Sequence, residues 1–249
     1  MTVVFRLALA VAVTGLALAL APQRVAAQTP DASALLARSR AAYAALRSYA
    51  DTGRVAVELR PSGAPALVEH FTFHTAFRSP RHFSFDFSAD APSNRERLVI
   101  WCDGGDFQSW WSATGVHEVW SNGRGVSALA TAVFPTKGAA AQIPPWLFPA
   151  AEMHGPLVDL TPDRVHGVEN VDGRRSHRLT GRSGGHFGAA RPVTVWIDAE
   201  TLLVRRIVED SPDGTPAGTT ERVTTTFTPQ ANPELADTRF TFTVPAGRR

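Results

Sequence analysis

The sequence predicts an α+β fold, built on one strongly curved antiparallel sheet with an N-terminal amphipathic helix and a helical, lid-like insertion. Three observations predict it. Residues 29–49 carry apolar side chains at helical spacing. From Asp51 onward apolar and polar residues alternate with a period of two. Across residues 126–156 that alternation stops, in a stretch holding five prolines and many alanines.

The start of the chain stands apart. Arg6 precedes the apolar run Leu7–Ala21, and Val25-Ala26-Ala27 places small residues where a signal peptidase cleaves. Residues 1–27 therefore read as a secretory signal peptide, with Gln28 as the mature N-terminus. The run is short for a membrane span, which needs about 20 residues; an uncleaved anchor is the alternative. No other run approaches that length, so residues 28–249 are expected to form a single soluble, exported, monomeric domain. Cys102 is the only cysteine, so no internal disulfide can form and a hydrophobic core must hold the chain. In an apolar strand-like run its thiol reads as packed.

The net charge is +2, from 25 basic and 23 acidic side chains, and Lys137 is the only lysine. That balance leaves no electrostatic footprint for nucleic acid, and export argues against such a partner. Arg174, Arg175, Arg178, Arg182, Arg191, Arg205 and Arg206 cluster locally, either as a solvated face or as an attraction for anionic lipid head groups.

In the helical stretch, Thr29 or Asp31 can cap the first turn and Pro30 suits its start. Leu35, Leu36, Tyr43, Leu46 and Tyr49 recur on one side. The strands follow. "GRVAVELR" precedes the turn "PSGAP", and "ALVEHFTFHTAF" precedes Arg78-Ser79-Pro80-Arg81 and "HFSFDFSAD". Alternation puts Phe71, Phe73 and Phe77 on one face of one strand and Phe83, Phe85 and Phe87 on one face of the next. "LVIWCDGGDFQSWW" repeats the form around an Asp103-Gly104-Gly105 turn, and "VHEVW" adds a short strand or edge. Residues 126–156 then read as short helices broken by prolines, with Phe134, Trp146, Leu147 and Phe148 exposed along them. Strand rhythm resumes at "DRVHGVENVDGRRSHRLTGR" and runs to "TRFTFTVPAG", for roughly eight to ten strands in all. In "VTVWIDAETLLVRRIVED", Leu202 and Val204 are expected opposite Ile197 and Val195, giving an aliphatic row with Val193.

Catalytic chemistry finds no support. Gly181-Arg182-Ser183-Gly184-Gly185 matches a nucleophile-elbow pattern, but Gly188, Pro192 and a strand follow instead of a helix, so the segment reads as a hairpin loop. His70 and His74 lie on a strand, where a four-residue step spans roughly 13 Å and one ion cannot bridge them. Asp103, Asp106, Asp198 and Glu200 sit in turn positions. No phosphate loop or dinucleotide fingerprint is present, so no cofactor, no metal and no enzyme activity are expected. What remains is apolar surface: 14 phenylalanines, 6 tryptophans and 2 tyrosines. These make either an ordinary aromatic β core or the wall of a cavity for an apolar ligand.

Taken in order, the N-terminal helix, "RSPRHFSFDF", "CDGG" leading into "DFQSWW", "VWIDAETLLVRRIVEDSPDG" and "FTFTVPAG" resemble the LolA-like superfamily of periplasmic lipoprotein carriers and outer-membrane lipoprotein-sorting proteins. The resemblance covers nearly the whole mature chain and is that of a divergent relative. It implies an unclosed β-barrel with an apolar concave face, plugged when empty by the N-terminal helix and the lid. The implied function is periplasmic binding or carriage of lipid or lipoprotein acyl chains; the alternative is a non-catalytic envelope protein-interaction or sensor domain with transient protein partners. The implied cavity wall comprises Phe71, Phe73, Phe77, Phe83, Phe85, Phe87, Trp101, Val193, Val195, Ile197, Leu202 and Val204, and the lid carries Phe134, Trp146, Leu147 and Phe148. In the family's best-known carriers an arginine directly before the strand-restarting proline holds the lid shut. Here Ser79 has that place, Arg78 lies one residue earlier as the candidate lid latch, and Cys102 replaces the family's small hydroxyl residue.

Overall fold

The computed structural model describes residues 30–90, 96–121, 125–149, 153–184, 190–214 and 218–246. The expected signal peptide, residues 28 and 29, the lid residues 150–152 and the loop residues 185–189 lie outside them.

Helix α1 (Ala32–Ala44) is capped by Asp31, whose Oδ1 accepts the Ala34 N–H at 2.9 Å. It buries Ala32, Leu35, Ser39 and Tyr43 at helical spacing. Tyr49, expected on this helix, lies instead in a strand. The Asn232 side-chain oxygen takes the N–H groups of Arg47 and Ser48, and sheet pairing begins at Ser48.

The strands are β1 (Ser48–Pro61), β2 (Leu67–Arg78), β3 (His82–Ala89), β4 (Arg97–Asp103), β5 (Phe107–Trp111), β6 (His117–Trp120), β7 (Leu160–Val171), β8 (Arg174–Ser183), β9 (Arg191–Asp198), β10 (Val204–Gly214), β11 (Thr219–Phe227) and β12 (Gln230–Ala231). Between β6 and β7 come α2 (Gly125–Ala132), a 3-10 turn at Ala139–Ala141 and α3 (Pro144–Leu147). Eleven strands run in the order β6-β5-β4-β3-β2-β1-β11-β10-β9-β8-β7, all antiparallel and unclosed, with β12 pairing onto β1. The count exceeds the eight to ten expected.

This order decides what the insertion does. β6 and β7 are consecutive among the strands but stand at opposite edges of the sheet, so the segment joining them has to cross the opening. Helix α2 packs on β4, β5 and β6, α3 on α1, and α1 on β7. Together they cover the inner face, where Val55, Val57, Phe71, Phe73, Phe85, Ile100, Leu179, Val195 and Ile207 form one core with Leu129, Ile143 and Trp146. Among the described residues, no helix is long and apolar enough to cross a membrane.

Four local readings are corrected. In the hairpin of β9 and β10, Val204 pairs with Ile197, Ile207 with Val195 and Glu209 with Val193, past a shift between Val204 and Arg206. The turn is longer than the pattern implies because Asp198 organises it. Its Oδ1 accepts the Glu200 and Thr201 N–H groups at 3.0 and 2.9 Å, and Leu202 takes a positive φ of 61°. Arg205 falls at the irregularity and leaves the solvated basic face: it is buried, with Nε and Nη2 each 3.0 Å from Asp198 Oδ2.

The closing "TRFTFTVPAG" is not a strand in its described part, residues 238–246. It forms a 3-10 turn at Asp237–Phe240 and then runs extended over the outer face. There Phe240 meets His82 at 5.3 Å, and Phe242 meets Trp101 and Trp110 at 5.2 and 5.6 Å. Trp101, expected on the cavity wall, belongs to this outer face. Its neighbours Ile100 and Cys102 take the inner positions opposite Phe85 and Phe83, and alternation turns Trp101 the other way.

Candidate functional site

The inner wall is built by register. Phe77 pairs with Phe83 and Phe73 with Phe87 across β2 and β3, and Phe85 sits between them opposite Thr75. All six phenylalanines of these two strands are at most 5% exposed. The rings touch in series: Phe71–Phe87 at 5.2 Å, Phe73–Phe85 at 5.7 Å and Phe73–Phe227 at 5.7 Å. Phe73 needs Gly53 opposite it, since a Cβ there would lie 2.0 Å from the Phe73 ring. At about 1.5–3 kcal/mol for each aromatic buried, this wall is a major source of fold stability even with nothing bound. Val193, Val195, Ile197 and Val204 continue the buried inner surface, and Leu202 packs on it half-buried from the turn.

The lid residues separate into two groups. Trp146 and Leu147, expected to be exposed, are buried, because the Trp146 ring packs on Tyr43 of α1 at 5.4 Å. Phe148 enters a cage of phenylalanines from three strands, 5.3 Å from Phe77, 5.3 Å from Phe83 and 5.7 Å from Phe107. Phe134, by contrast, is 92% exposed in the turn that follows α2. Beside it Lys137 reaches back to β2, 3.7 Å from Glu69 and 5.4 Å from the Phe71 ring centre.

Next to the Phe148 plug a cleft of about 470 Å³ opens between lid and wall. Tyr43, Ala44 and Leu46 line it from α1 and the residues that follow. Phe77, Ser79 and Pro80 line it from the sheet, and Val126, Leu147, Phe148 and Pro149 from the lid. A second hollow of about 240 Å³ lies between β1 and the C-terminal segment, bordered by Thr52, Gln230, Glu234 and Arg239 among others.

Two polar groups interrupt the apolar interior. Asp51 is buried, with Oδ2 accepting the Tyr49 hydroxyl at 2.6 Å and Oδ1 the Thr75 N–H at 3.1 Å. Burial pushes its carboxyl up to about 6, although both hydrogen bonds pull the other way. Tyr43 lies beside Tyr49, its hydroxyl accepting the Val204 N–H at 3.1 Å, and burial holds both phenols protonated. On the lid, the Gln142 amide donates to Glu209 and Thr225, and burial raises the Glu209 carboxyl. Asp51, Gln142, Glu209 and Thr225 carried no sequence signal, since a lone acid in a strand or a glutamine among alanines matches no motif.

The remaining candidates lie elsewhere. Arg78 is on the outer face, donating to the Leu235 carbonyl at 3.1 Å and to Asp237 Oδ1 at 2.6 Å, with Phe240 under its guanidinium. It thus holds the C-terminal segment against the sheet. Cys102 is buried, its Sγ 3.3 Å from the Gly105 carbonyl, and burial pushes the thiol up. Asp103 Oδ1 accepts the Gly105 N–H in the turn. Ser183 ends β8 and pairs with Arg191 of β9, a strand-to-strand setting. His70 and His74 occupy outer positions opposite Ala56 and Thr52, and His74 Nδ1 lies 3.2 Å from the Thr52 hydroxyl.

No family model matches the chain, and no curated protein does. Solved structures similar to it include a LolA superfamily protein from Nitrosomonas europaea, at 10% identity and TM-score 0.31 over 86% of this chain and 98% of that one. LprF from Mycobacterium bovis aligns at 14% identity and TM-score 0.42, over 88% of this chain and 98% of its own. The MucA/MucB complex of Pseudomonas aeruginosa aligns at 15% identity and TM-score 0.43, over 86% of this chain and 62% of that chain.

Proposed function

We propose that this protein binds acyl chains of lipids or lipoproteins on the inner face of its unclosed barrel, as an exported, non-enzymatic periplasmic carrier. The observation that carries the reading is the cleft of about 470 Å³ whose lid side ends in Phe148. Small-molecule pockets fall in the range of about 300–1,000 Å³. The cleft meets the interior at the one lid ring that sits among Phe77, Phe83 and Phe107. Each methylene taken from water stabilises a bound chain by about 0.8 kcal/mol. A chain entering here replaces lid contacts of the same kind, so binding and lid docking compete and release stays accessible. Short proline-broken helices suit that exchange, because little regular structure has to melt when they lift.

A second reading rests on the filled interior. With the wall phenylalanines at most 5% exposed, the inner wall is covered as it stands, and such a scaffold serves equally to bind an envelope protein partner. One experiment separates them. Purified protein is mixed with a fatty acid or lysolipid probe and examined by native mass spectrometry. One-to-one uptake that Phe77→Trp weakens, by narrowing the cleft, is expected for the carrier. A wild-type protein that stays empty at saturating probe sinks it in favour of the interaction domain.

A further inference from the structure

Gln142, Glu209 and Thr225 form a polar island on the inner surface, separate from the Asp51 cluster. Gln142 is fully buried between the 3-10 turn and α3, and its Nε2 donates to Glu209 Oε1 and to Thr225 Oγ1, both at 3.1 Å. Glu209 pairs with Val193 and Val223 across the sheet, and Thr225 with Val55 and Ile207. The amide oxygen of Gln142 is buried without a partner. Leaving a buried acceptor unpaired is unfavourable, and three aliphatic side chains here would seal the lid better than this trio. Stability alone therefore does not account for it. A buried polar group left half-satisfied, against the local rule of the core around it, marks a candidate functional site.

We infer that Glu209 and Thr225 are the polar end of the cargo site. They form a pair of acceptors for an amide or amine nitrogen that carries two hydrogens next to an acyl or alkyl chain. In the closed protein the Gln142 carboxamide holds that place, one nitrogen donating to both oxygens. When the lid lifts it withdraws this internal substitute, and the cargo's nitrogen takes over the same two hydrogen bonds while its chain follows the phenylalanine wall. Ligands of equal chain length are thereby sorted by whether their head can donate. This rests on the acyl-chain reading above and adds the chemistry of the head group to it.

The test compares dodecanamide, whose nitrogen donates two hydrogens, with methyl dodecanoate, which donates none, by isothermal titration calorimetry. Wild-type protein is expected to favour dodecanamide about tenfold, the equivalent of about 1.4 kcal/mol. Glu209→Leu with Thr225→Val should bring that ratio near one while methyl dodecanoate still binds. Gln142→Ala should tighten dodecanamide several-fold and methyl dodecanoate less, because the internal competitor is gone. Should the double variant lose its β-sheet circular dichroism, Thr225→Val alone is expected to cut the preference several-fold. A wild type that binds both equally, or a preference that survives loss of both acceptors, overturns the inference and leaves the acyl-chain reading standing. A wild type that binds neither overturns both.

Discussion

The ring of Phe148 stands edge-on to that of Phe77, 5.3 Å away at 85°. One ring belongs to the lid and the other to the sheet, so this contact marks where the insertion meets the wall. Phe83 and Phe107 complete the cage, and the helix end above Phe107 is a glycine, Gly125, where a Cβ would come within 2.3 Å of that ring. Phe148→Ala should therefore loosen the lid specifically. Full truncation of a buried phenylalanine costs about 3–5 kcal/mol; Phe148 is half-buried, and about 2 kcal/mol is expected from urea unfolding. The same variant should bind an environment-sensitive apolar dye more strongly than wild type. Unchanged dye binding with a full loss of stability would place Phe148 in the permanent core instead.

Asp51 should make stability depend on pH in an unusual direction. An unfolded aspartate titrates near 3.9, whereas burial holds this one up at about 6. Between those values the folded protein binds the proton more tightly, so stability falls as pH rises from about 4 through about 6 and then levels. Within that window each pH unit changes stability by up to about 1.4 kcal/mol. Asp51→Asn mimics the protonated carboxyl: its oxygen can accept the Thr75 N–H and its NH2 can donate to the Tyr49 hydroxyl oxygen. It is expected to gain stability over wild type at pH 8 and to show little difference at pH 4. Chemical denaturation at the two pH values reads this directly, and an equal difference at both would remove Asp51 as the cause.

Asp198 behaves in the opposite sense. Burial alone would raise its carboxyl, but the N–H groups of Thr201 and Glu200 and the Arg205 guanidinium outweigh that and hold it below the usual range. Its contribution is present above the unfolded value of about 3.9 and is lost as pH falls through the folded value. Arg205→Ala leaves a buried carboxylate without its cation and should cost about 3–5 kcal/mol. A loss under about 1 kcal/mol, the level of an exposed pair, would mean that water reaches the turn.

Arg78 is expected to govern the C-terminal segment. Arg78→Ala removes its bonds to Leu235 and Asp237 and its place over Phe240. Limited proteolysis should then cut within residues 232–246 sooner than in wild type, with cleavage within the lid unchanged. Faster cutting between 126 and 149 instead would establish Arg78 as a lid latch acting at a distance.

Much of this architecture is written in local pattern. The alternation of Phe71, Phe73 and Phe77, and of Phe83, Phe85 and Phe87, places each set on one face, because successive strand residues point to opposite sides whatever the rest of the chain does. Asp31 before Ala32, Asp103-Gly104-Gly105 and the prolines of 126–156 act within a few bonds, so cap, turn and broken helices are legible too. Local pattern fails where it is ambiguous. Leu98–Cys102 is apolar at every position, so period two cannot say whether Ile100 or Trp101 faces inward, and only the pairing of β4 with β3 decides it. "TRFTFTVPAG" alternates like a strand, yet Phe240 and Phe242 cover His82, Trp101 and Trp110 instead of extending an edge.

By itself, then, the sequence determined the N-terminal helix, most of the strands, their order and which phenylalanines share a face, since those follow from backbone geometry over a few residues. Only the tertiary structure decided that the lid spans the two sheet edges, that Phe148 fills a cage of three strands, and that Gln142 meets Glu209 and Thr225. Those relationships join residues far apart in the chain, and they are set by which surfaces leave water together.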